Sequence, residues 1–442
     1  MTPIHVALLG SGTVGGGLLR VLSRNQEEIT RRAGRGIVVT MVGARSVEKA
    51  RCLVGDGVQV KPDLFAVATD PSVEIVVELI GGTSDAKALV LAAIAAGKHV
   101  VTANKALLAL HGNEIFAAAQ AKGVMVAFEG AVAGGIPIIK ALREGLTANR
   151  IEWVAGIING TTNFILSEMR DKRVDFAAAL AEAQRLGYAE ADPTFDIDGT
   201  DAAHKAAIVS AIAFGVPVQF ARAHIEGIGQ LAAADIAYAE QLGYRIKLLA
   251  ITKRRTAAGG IELRVHPTLI PARRLIANVE GAMNAVVVHG DAIGTTLYYG
   301  KGAGAEPTAS AVIADLVDIA RLATADPEHR VPHLAFQPAE VHDVAVLPIE
   351  AVVTSFYLRL QVADVAGVLA RVTGILAERD ISIDAVLQRP NAAAAEHEGG
   401  RTDVIILTHD TVEGRMIDAV AAMQALPTVL APIVRLRKEE LA

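Results

Sequence analysis

Apolar residues near the N-terminus form short runs that alternate with longer segments of helical composition. Runs such as IHVALL, IVVTMV and EIVVEL show no polar face, which is typical of parallel strands buried on both sides. The intervening segment AKALVLAAIAAG has the length and composition of a helix. This alternation predicts an α/β fold whose first part is a doubly wound parallel sheet.

A glycine triplet lies between the first predicted strand and the first predicted helix. Gly10, Gly12 and Gly15 have the spacing G-x-G-x-x-G. The first allows a tight turn, the second leaves room for a pyrophosphate, and the third lets helix and strand pack closely. The helix N-terminus adds free N–H groups and the positive end of the helix dipole. We therefore expect a Rossmann-type nucleotide-binding domain; the alternative is a tight turn without a ligand.

The residues after the next strands indicate which cofactor binds and where. Arg45 follows the second strand, where an NAD-specific site carries an acid. Because a guanidinium suits a 2′-phosphate, we expect NADP(H) to be preferred and NAD(H) to be possible. The alternative for Arg45 is an ordinary solvated helix start. Ligands of such sheets bind beyond the strand ends, which places Gly81, Ala103 and Lys105 near the cofactor.

Charge is concentrated in EADPTFDIDGTDAAHK, residues 190–205. The segment predicts an acidic loop broken by Pro193 and Gly199, followed by a helix that starts near Asp201. Asp201 and Lys205 are four residues apart and therefore share one helix face. Carboxylates can bind a cationic amine while a lysine of shifted pKa serves as acid or base, which suits an amino acid bearing an alcohol or aldehyde. The alternative is a helix-capping acid with a surface ion pair.

The C-terminal part of the chain has a different pattern. After a Pro- and His-containing linker, strands and amphipathic helices follow in the order β-α-β-β-α-β. This order resembles an ACT domain, a module that commonly binds amino acids at interfaces; the alternative is a purely dimerising domain. The expected organisation is a nucleotide-binding domain over 1–135 completed by about 300–325, an α+β catalytic and dimerisation domain over 136–300, a linker over 326–350, and the ACT domain over 351–442.

Composition narrows the class of function. The formal net charge is −6 with acids and bases interspersed, so neither nucleic acid nor a membrane is an expected partner. The single cysteine, Cys52, leaves no internal disulfide framework, which fits a reducing cytoplasm. The N-terminus has no signal-peptide pattern, and charged residues interrupt the apolar runs. We expect a cytoplasmic protein that acts on small molecules.

Five sequence blocks together resemble homoserine dehydrogenases. They are VELIGG, GKHVVTANKALLA, FEGAVAGGIPIIKALRE, NGTTNFIL and LGYAEADPTFDIDGTDAAHK, and the resemblance covers roughly residues 4–325. It implies the reversible NAD(P)-dependent interconversion of L-aspartate 4-semialdehyde and L-homoserine. It also implies a homodimer or homotetramer, and L-threonine as an effector that acts through the ACT domain.

The resemblance assigns roles to individual residues. It implies that Lys205 is the proton donor or acceptor and that Lys105 is a second catalytic lysine. Substrate-binding residues are expected at Glu190, Asp196 and Asp201, with Thr162 as a helix cap or a hydrogen-bonding partner of the substrate. For the cofactor, the resemblance implies Thr13, Val14, Ala103 and Gly302. These residues join the glycine triplet, Arg45, Gly81 and Lys105, which were expected from the strand and turn pattern.

A cation site is also implied by the resemblance. Glu129 is a carboxylate followed by a glycine-rich loop, an arrangement that can hold a hard cation through backbone carbonyls. The implied ligands of a monovalent cation, usually sodium, are Glu129 and the carbonyls of Val132, Gly134 and Ile136.

Two other functions compete with this interpretation. One is a different NADP-dependent reductase, acting on another amino-acid semialdehyde or a related keto acid. The other is an amino-acid sensor whose nucleotide-binding fold has lost catalysis. The sequence argues against a sensor, because it retains Lys105, Glu190, Asp201 and Lys205 together. A protein that only senses amino acids would not need the two lysines.

Overall fold

The computed structural model describes residues 2–388 and 400–441. Its N-terminal domain is a six-stranded parallel sheet in the order β3-β2-β1-β4-β5-β6. The strands are β1 (Ile4–Leu9), β2 (Ile37–Gly43), β3 (Gln59–Lys61), β4 (Ile75–Glu78), β5 (His99–Thr102) and β6 (Val126–Ala127). The helices are α1 (Thr13–Arg24), α2 (Gln26–Ala33), α3 (Val47–Arg51), α4 (Leu64–Ala68), α5 (Ser84–Ala95) and α6 (Lys105–Lys122). Strand order reverses between β1 and β4, so a crevice opens beyond the ends of these two strands.

The central domain is built on an antiparallel sheet in the order β12-β11-β7-β9-β10. The strands are β7 (Ile151–Ile157), β8 (His224–Ile225), β9 (Tyr244–Arg255), β10 (Gly260–Pro271), β11 (Met283–Gly290) and β12 (Gly294–Lys301). The short strand β8 pairs with β10. The helices are α7 (Ile138–Lys140), α8 (Gly160–Asp171), α9 (Phe176–Arg185), α10 (Thr194–Ile197), α11 (Thr200–Phe214) and α12 (Ala233–Gln241). Helix α11 is buried from Asp201 to its end, so its first turn is held inside the protein.

Helix α13 (Ala305–Leu322) returns to the N-terminal domain. Its N-terminal end packs against α1 so closely that a Cβ at Gly17 would lie 2.5 Å from the carbonyl oxygen of Ala305. Buried residues of α13 join the core of the parallel sheet, among them Val312 and Leu316. The segment before α13 is therefore held beside the nucleotide-binding end of α1.

The main elements of the C-terminal domain follow the order β-α-β-β-α-β. They are β14 (Val353–Ala363), α14 (Val368–Ala377), β15 (Ile383–Gln388), β16 (Arg401–Thr408), α15 (Glu413–Gln424) and β18 (Val434–Lys438). Two short strands accompany them: β13 (Ala345–Val346), before the domain, pairs with β10, and β17 (Thr411–Val412) pairs with β14. The main strands lie in the order β18-β14-β16-β15. Within the expected ACT domain, 389–399 and residue 442 lie outside the described residues.

The sheets of the central and C-terminal domains are continuous. Strand β18 pairs in parallel with β10, with Thr268 opposite Arg437 and Leu269 opposite Lys438. The two domains therefore share backbone hydrogen bonds as well as side-chain contacts, which couples their positions.

The predicted fold class is confirmed. Two local expectations need refinement: the acidic loop contains the helical turn α10, and β2 ends at Gly43, two residues before Arg45. Among the described residues, no helix is both long and apolar enough to cross a membrane.

Candidate active site

The glycine triplet forms the expected turn between β1 and α1. Gly10 has a φ of 96°, and a Cβ at Gly15 would lie 2.2 Å from the carbonyl oxygen of Gly10. A residue with a side chain cannot replace either glycine without a backbone shift, because the turn and the first turn of α1 touch through backbone atoms. A Cβ at Gly12, by contrast, would meet no heavy atom, so space is open at the helix N-terminus. These features fit a bound pyrophosphate.

A cavity of about 300 Å³ lies beyond the ends of the parallel strands. Of the predicted cofactor residues, it is lined by Val14, Gly81, Ala103 and Lys105. A larger cavity of about 510 Å³ lies between α6 and the segment 332–341, but its lining includes none of the predicted site residues. The smaller cavity therefore marks the site, since its lining includes both Val14, in the first turn of α1, and Lys105.

Buried Glu78 organises the turns that border this cavity. One carboxylate oxygen accepts hydrogen bonds from Ile80 N at 2.9 Å and Gly81 N at 3.2 Å. The other accepts one from Thr102 Oγ1 at 2.6 Å. Because β4 and β5 end side by side, this single side chain fixes both turns. Its location in a buried strand hid its role from sequence reasoning.

Lys105 is the first residue of α6. Asn104 caps this helix by accepting a hydrogen bond from Leu107 N at 3.1 Å, and its amide nitrogen donates to Gly82 O at 2.7 Å. A lysine at a helix N-terminus is disfavoured by the positive end of the helix dipole. The ion pair between Lys105 Nζ and Asp201 Oδ1, at 3.0 Å, offsets this cost and links the N-terminal and central domains.

Asp201 and Lys205 lie on one buried face of α11, as their spacing predicted. Lys205 Nζ donates to Asp201 Oδ2 at 2.7 Å and to Ile158 O at 2.7 Å. Both lysines of the predicted site therefore contact the same carboxylate, one on each oxygen. Tertiary structure brings Lys105 to this pair from a distant part of the sequence.

Asn159 joins the acidic residues of the site, and sequence reasoning missed it. Its amide nitrogen donates to Asp196 Oδ1 at 2.7 Å and to Asp201 Oδ2 at 2.8 Å. Its oxygen caps α8 by accepting a hydrogen bond from Thr162 N at 2.8 Å. The asparagine directly before α8 was an available signal, because asparagine favours the N-cap position.

Burial and charge shift the pKa values of this cluster. Burial alone would raise the pKa of Asp201, but Lys205 and Lys105 lower it well below its ordinary value. Burial lowers the pKa of Lys205, as does the charge of Lys105, while Asp201 acts in the opposite direction. Burial raises the pKa of Asp196. A lysine whose ammonium form is less favoured than in water is suited to proton transfer near neutral pH.

Phe195 closes the cavity from the central domain, and sequence reasoning did not single it out. Its ring centroid is 5.9 Å from Lys105 Nζ and 5.4 Å from the ring centroid of His204. His204 packs edge-on against Phe220 behind it. Within the described part of the chain, buried His204 Nδ1 has no hydrogen-bond partner. These aromatic rings hold an apolar wall beside the lysines.

Three other predicted site residues, Glu190, Thr162 and Thr13, do not line the cavity. Glu190 is exposed in the acidic loop, with its carbonyl oxygen accepting a hydrogen bond from Gln184 Nε2 at 3.1 Å. Thr162 is buried, and its hydroxyl contacts Asn159 Oδ1 at 2.9 Å rather than lining the cavity. Thr13 is the exposed first residue of α1, next to the glycine turn.

Arg45 and Gly302 are also absent from the residues that line the cavity. The Arg45 side chain is 85% exposed, and its guanidinium is 3.1 Å from Asp85 Oδ2. A Cβ at Gly134 would lie 2.4 Å from Gly302 O, which places Gly302 against the predicted cation loop.

Glu129 is buried in the turn that precedes α7, and its carboxylate reaches the backbone of that helix. Its carboxylate accepts hydrogen bonds from Ile139 N at 3.0 Å and Lys140 N at 2.8 Å. In the loop that follows, Ala133 and Gly134 have φ values of 53° and 47°. Within 2–388 and 400–441, no three His, Cys, Asp or Glu side chains are grouped to hold a metal. A carboxylate with backbone carbonyls still offers the oxygen donors that a hard cation requires, because each carboxylate oxygen has a second lone pair.

The fold and the cleft define a dinucleotide-dependent oxidoreductase. Over 441 residues the chain is 59% identical to a homoserine dehydrogenase of Pseudomonas aeruginosa, and the alignment covers 100% of both chains. The chain belongs to the homoserine dehydrogenase family and is an NAD(P)-dependent oxidoreductase.

Family models and solved structures agree with this assignment. The matching models are the homoserine dehydrogenase NAD binding domain over 10–129, homoserine dehydrogenase over 137–317 and the ACT domain over 356–423. A crystal structure of a homoserine dehydrogenase from Thiobacillus denitrificans has a TM-score of 0.94 and 64% identity, covering 100% of this chain and 99% of that one. A hyperthermophilic archaeal homoserine dehydrogenase in complex with NADPH has a TM-score of 0.62 and 26% identity, covering 73% of this chain and 99% of that one.

Proposed function

We propose that the chain catalyses the reversible NAD(P)-dependent interconversion of L-aspartate 4-semialdehyde and L-homoserine. The observation that carries this proposal is the meeting of Lys105 and Lys205 on one buried carboxylate beside the nucleotide cavity. The two lysine ammonium groups can stabilise a substrate oxygen that gains negative charge during the reaction. The neighbouring carboxylates can bind the substrate amino group.

Proton transfer is the task of Lys205 in this mechanism. A bound nicotinamide supplies hydride chemistry at the substrate carbon. During reduction of the aldehyde, the Lys205 ammonium gives a proton to the carbonyl oxygen, which becomes the hydroxyl of the product. During oxidation, neutral Lys205 takes the hydroxyl proton instead. Burial assists the second role, because it lowers the pKa of Lys205.

Lys105 and Asp201 position and balance the reacting groups. Lys105 stabilises negative charge on the substrate oxygen, and Asp201 holds both ammonium groups in place. We assign the substrate amino group to the acidic residues around Asn159, namely Asp196 and Asp201, together with Glu190 of the adjoining loop. Thr162 contributes through its contact with Asn159.

We propose NADP(H) as the preferred cofactor and NAD(H) as an accepted one. The exposed guanidinium of Arg45 supports this preference, because its exposed partner Asp85 holds it only weakly. A 2′-phosphate offers a stronger and bidentate partner. The pyrophosphate is assigned to the glycine turn with Thr13 and Val14, and the nicotinamide end to Ala103 and Gly302.

A monovalent cation, sodium, is proposed at Glu129 and the carbonyls of Val132, Gly134 and Ile136. The buried carboxylate and the left-handed turn of the loop support it. Bound there, the cation would hold the loop against Gly302, which lies in contact with Gly134.

L-threonine is proposed as an inhibitor that acts through the C-terminal domain, and a homodimer or homotetramer as the assembly. The β-α-β-β-α-β order and the ACT family match support an amino-acid effector. The proposed domain limits are those derived from the sequence, with the nucleotide-binding domain over 1–135 completed by 300–325.

The proposed function is tested by following nicotinamide absorbance with purified protein and L-aspartate 4-semialdehyde. NADPH and NADH are compared, each with and without L-threonine, in buffer containing sodium. We expect NADPH to be oxidised faster with L-aspartate 4-semialdehyde than with other amino-acid semialdehydes or keto acids. No oxidation by folded protein with either cofactor would contradict the proposal and favour the sensor.

A further inference from the structure

The last strand of the C-terminal domain places a buried arginine at the boundary with the central domain. The Arg437 side chain is 1% exposed. Its two terminal nitrogens contact the two carboxylate oxygens of Glu226, at 2.8 Å and 2.9 Å. Its Nε donates to Glu413 Oε2 at 2.7 Å, and a terminal nitrogen also contacts Glu413 Oε1. Arg437 therefore joins one carboxylate from each domain, since Glu413 belongs to α15.

Glu226 belongs to a segment that supports the substrate loop. Its backbone nitrogen donates to Val265 O of β10 at 2.8 Å, and Ile228 N donates to Ile197 O at 2.9 Å. Between these two anchors, a Cβ at Gly227 would lie 2.2 Å from Ile197 O. The segment and the loop touch through backbone atoms, so neither can shift without the other.

The supported loop contains part of the proposed substrate site. Asp196 immediately precedes Ile197, and Gly199 turns the chain into α11 with a φ of 90°. Asp196 shares the amide of Asn159 with Asp201, which contacts both lysines. A displacement of Ile197 would therefore change the distance between Asp196 and the rest of the acidic cluster.

We propose that Arg437 and Glu226 are positioning residues that set the affinity of the active site for its amino-acid substrate. Through the Gly227 contact, their ion pair holds the 196–199 turn in the geometry that binds the substrate. Movement of β18 in the C-terminal domain consequently changes substrate affinity by moving this turn. The inference rests on the proposed function for the identity of the substrate.

Glu226→Gln is a suitable test because it removes the charge without removing the side chain. The Glu226 side chain is 35% exposed, so a glutamine at this position keeps partial contact with water. Arg437 keeps its ion pair with Glu413, which lowers the risk of unfolding. Arg437→Lys is the second variant, since lysine keeps the positive charge but cannot make paired contacts with one carboxylate.

Lys253→Gln is the matched control. Lys253 on β9 forms an ion pair with Glu439 at 2.5 Å, which also joins the central domain to the C-terminal end of the chain. The preceding residue, Thr252, faces α11, where its hydroxyl bonds to Ser210 Oγ at 2.9 Å. Lys253 therefore points to the opposite face of the sheet, and within the described residues no hydrogen bond or ion pair joins its side chain to the substrate loop.

Steady-state kinetics with L-homoserine and NADP give the first readout. We expect Glu226→Gln to raise the KM for L-homoserine by roughly fivefold or more, with a smaller change in kcat and no change in the cofactor KM. Arg437→Lys should also raise the KM for L-homoserine, while Lys253→Gln should leave this KM unchanged. A KM that is unchanged in Glu226→Gln, or raised equally in Lys253→Gln, would overturn the inference.

Amide hydrogen exchange gives a readout that does not depend on turnover. In peptides covering 193–200, Glu226→Gln and Arg437→Lys should exchange faster than the parent protein and Lys253→Gln. A change in KM without faster exchange in this segment would overturn the inference. The lost charge would then weaken substrate binding without any displacement of the turn. If the parent protein did not oxidise L-homoserine, the proposed function would fail, while the exchange rates would still decide the positioning role.

Discussion

Lys105 and Asp201 lie 96 positions apart in the chain, yet their side chains form an ion pair of 3.0 Å across the cleft between two domains. The second oxygen of Asp201 is occupied by Lys205. Because one carboxylate holds both ammonium groups, its removal should affect proton transfer more than folding or cofactor binding.

Asp201→Asn should shift the pH dependence of alcohol oxidation. Asp201 raises the pKa of Lys205 against the lowering effects of burial and Lys105, so its removal lowers that pKa further. Oxidation requires neutral Lys205, and the acid limb of kcat/KM against pH should therefore move to lower pH. The maximum should fall by about tenfold or more, because charge stabilisation around the oxygen is disturbed. Asp198→Asn, an exposed neighbour in the same turn, serves as control; an unshifted limb in Asp201→Asn would contradict the assignment.

Lys205→Arg should abolish proton transfer while retaining positive charge. An arginine does not deprotonate in proteins, so the variant can serve neither as base nor as efficient acid. We expect kcat to fall by about 10²- to 10⁴-fold in both directions. Lys205→Ala should lose a similar factor. Cofactor affinity, measured by nicotinamide fluorescence, should remain close to that of the parent protein, and a defect confined to cofactor KM would disprove this role.

Arg45→Ala should reduce the preference for NADPH. Loss of the guanidinium removes the proposed partner of the 2′-phosphate, while NADH has no such group. The KM for NADPH should rise by about tenfold, and the KM for NADH should change little. Arg31→Ala, which removes an exposed arginine on α2, is the control. Equal increases for both cofactors would show that Arg45 does not read the 2′-phosphate.

Asp315→Asn should reduce the loss of stability at higher pH. Burial and the charge of Glu129 raise the pKa of Asp315 to about 8, and Asp315 Oδ2 accepts a hydrogen bond from Glu129 N at 2.8 Å. Between its ordinary pKa of 3.8 and about 8, the folded state binds more protons than the unfolded state. The free energy of unfolding therefore falls as pH rises through this range.

Asparagine resembles the protonated carboxyl group and removes this dependence. The midpoint of thermal unfolding, measured between pH 6 and pH 8 with the cation concentration held constant, should fall less in Asp315→Asn than in the parent protein. Exposed Asp56→Asn should keep the parent dependence. Identical slopes in all three proteins would exclude Asp315 as the titrating group.

Local sequence determined several parts of this protein. The glycine triplet, the buried strands and the pairing of Asp201 with Lys205 on one helix face follow from short-range sterics, side-chain period and backbone hydrogen bonding. These constraints act within a few residues and can be read without knowing the rest of the fold. The order of the C-terminal elements was predictable for the same reason.

Only the tertiary structure decided which distant residues meet. It brought Lys105 to Asp201, placed Asn159 between two carboxylates, and set Arg437 of the last strand against Glu226. Such contacts depend on how sheets and helices pack, and packing is determined jointly by surfaces that are far apart in sequence. A polar residue within an apolar run carries no local sign of its partner, so its role appears only when the chain is folded.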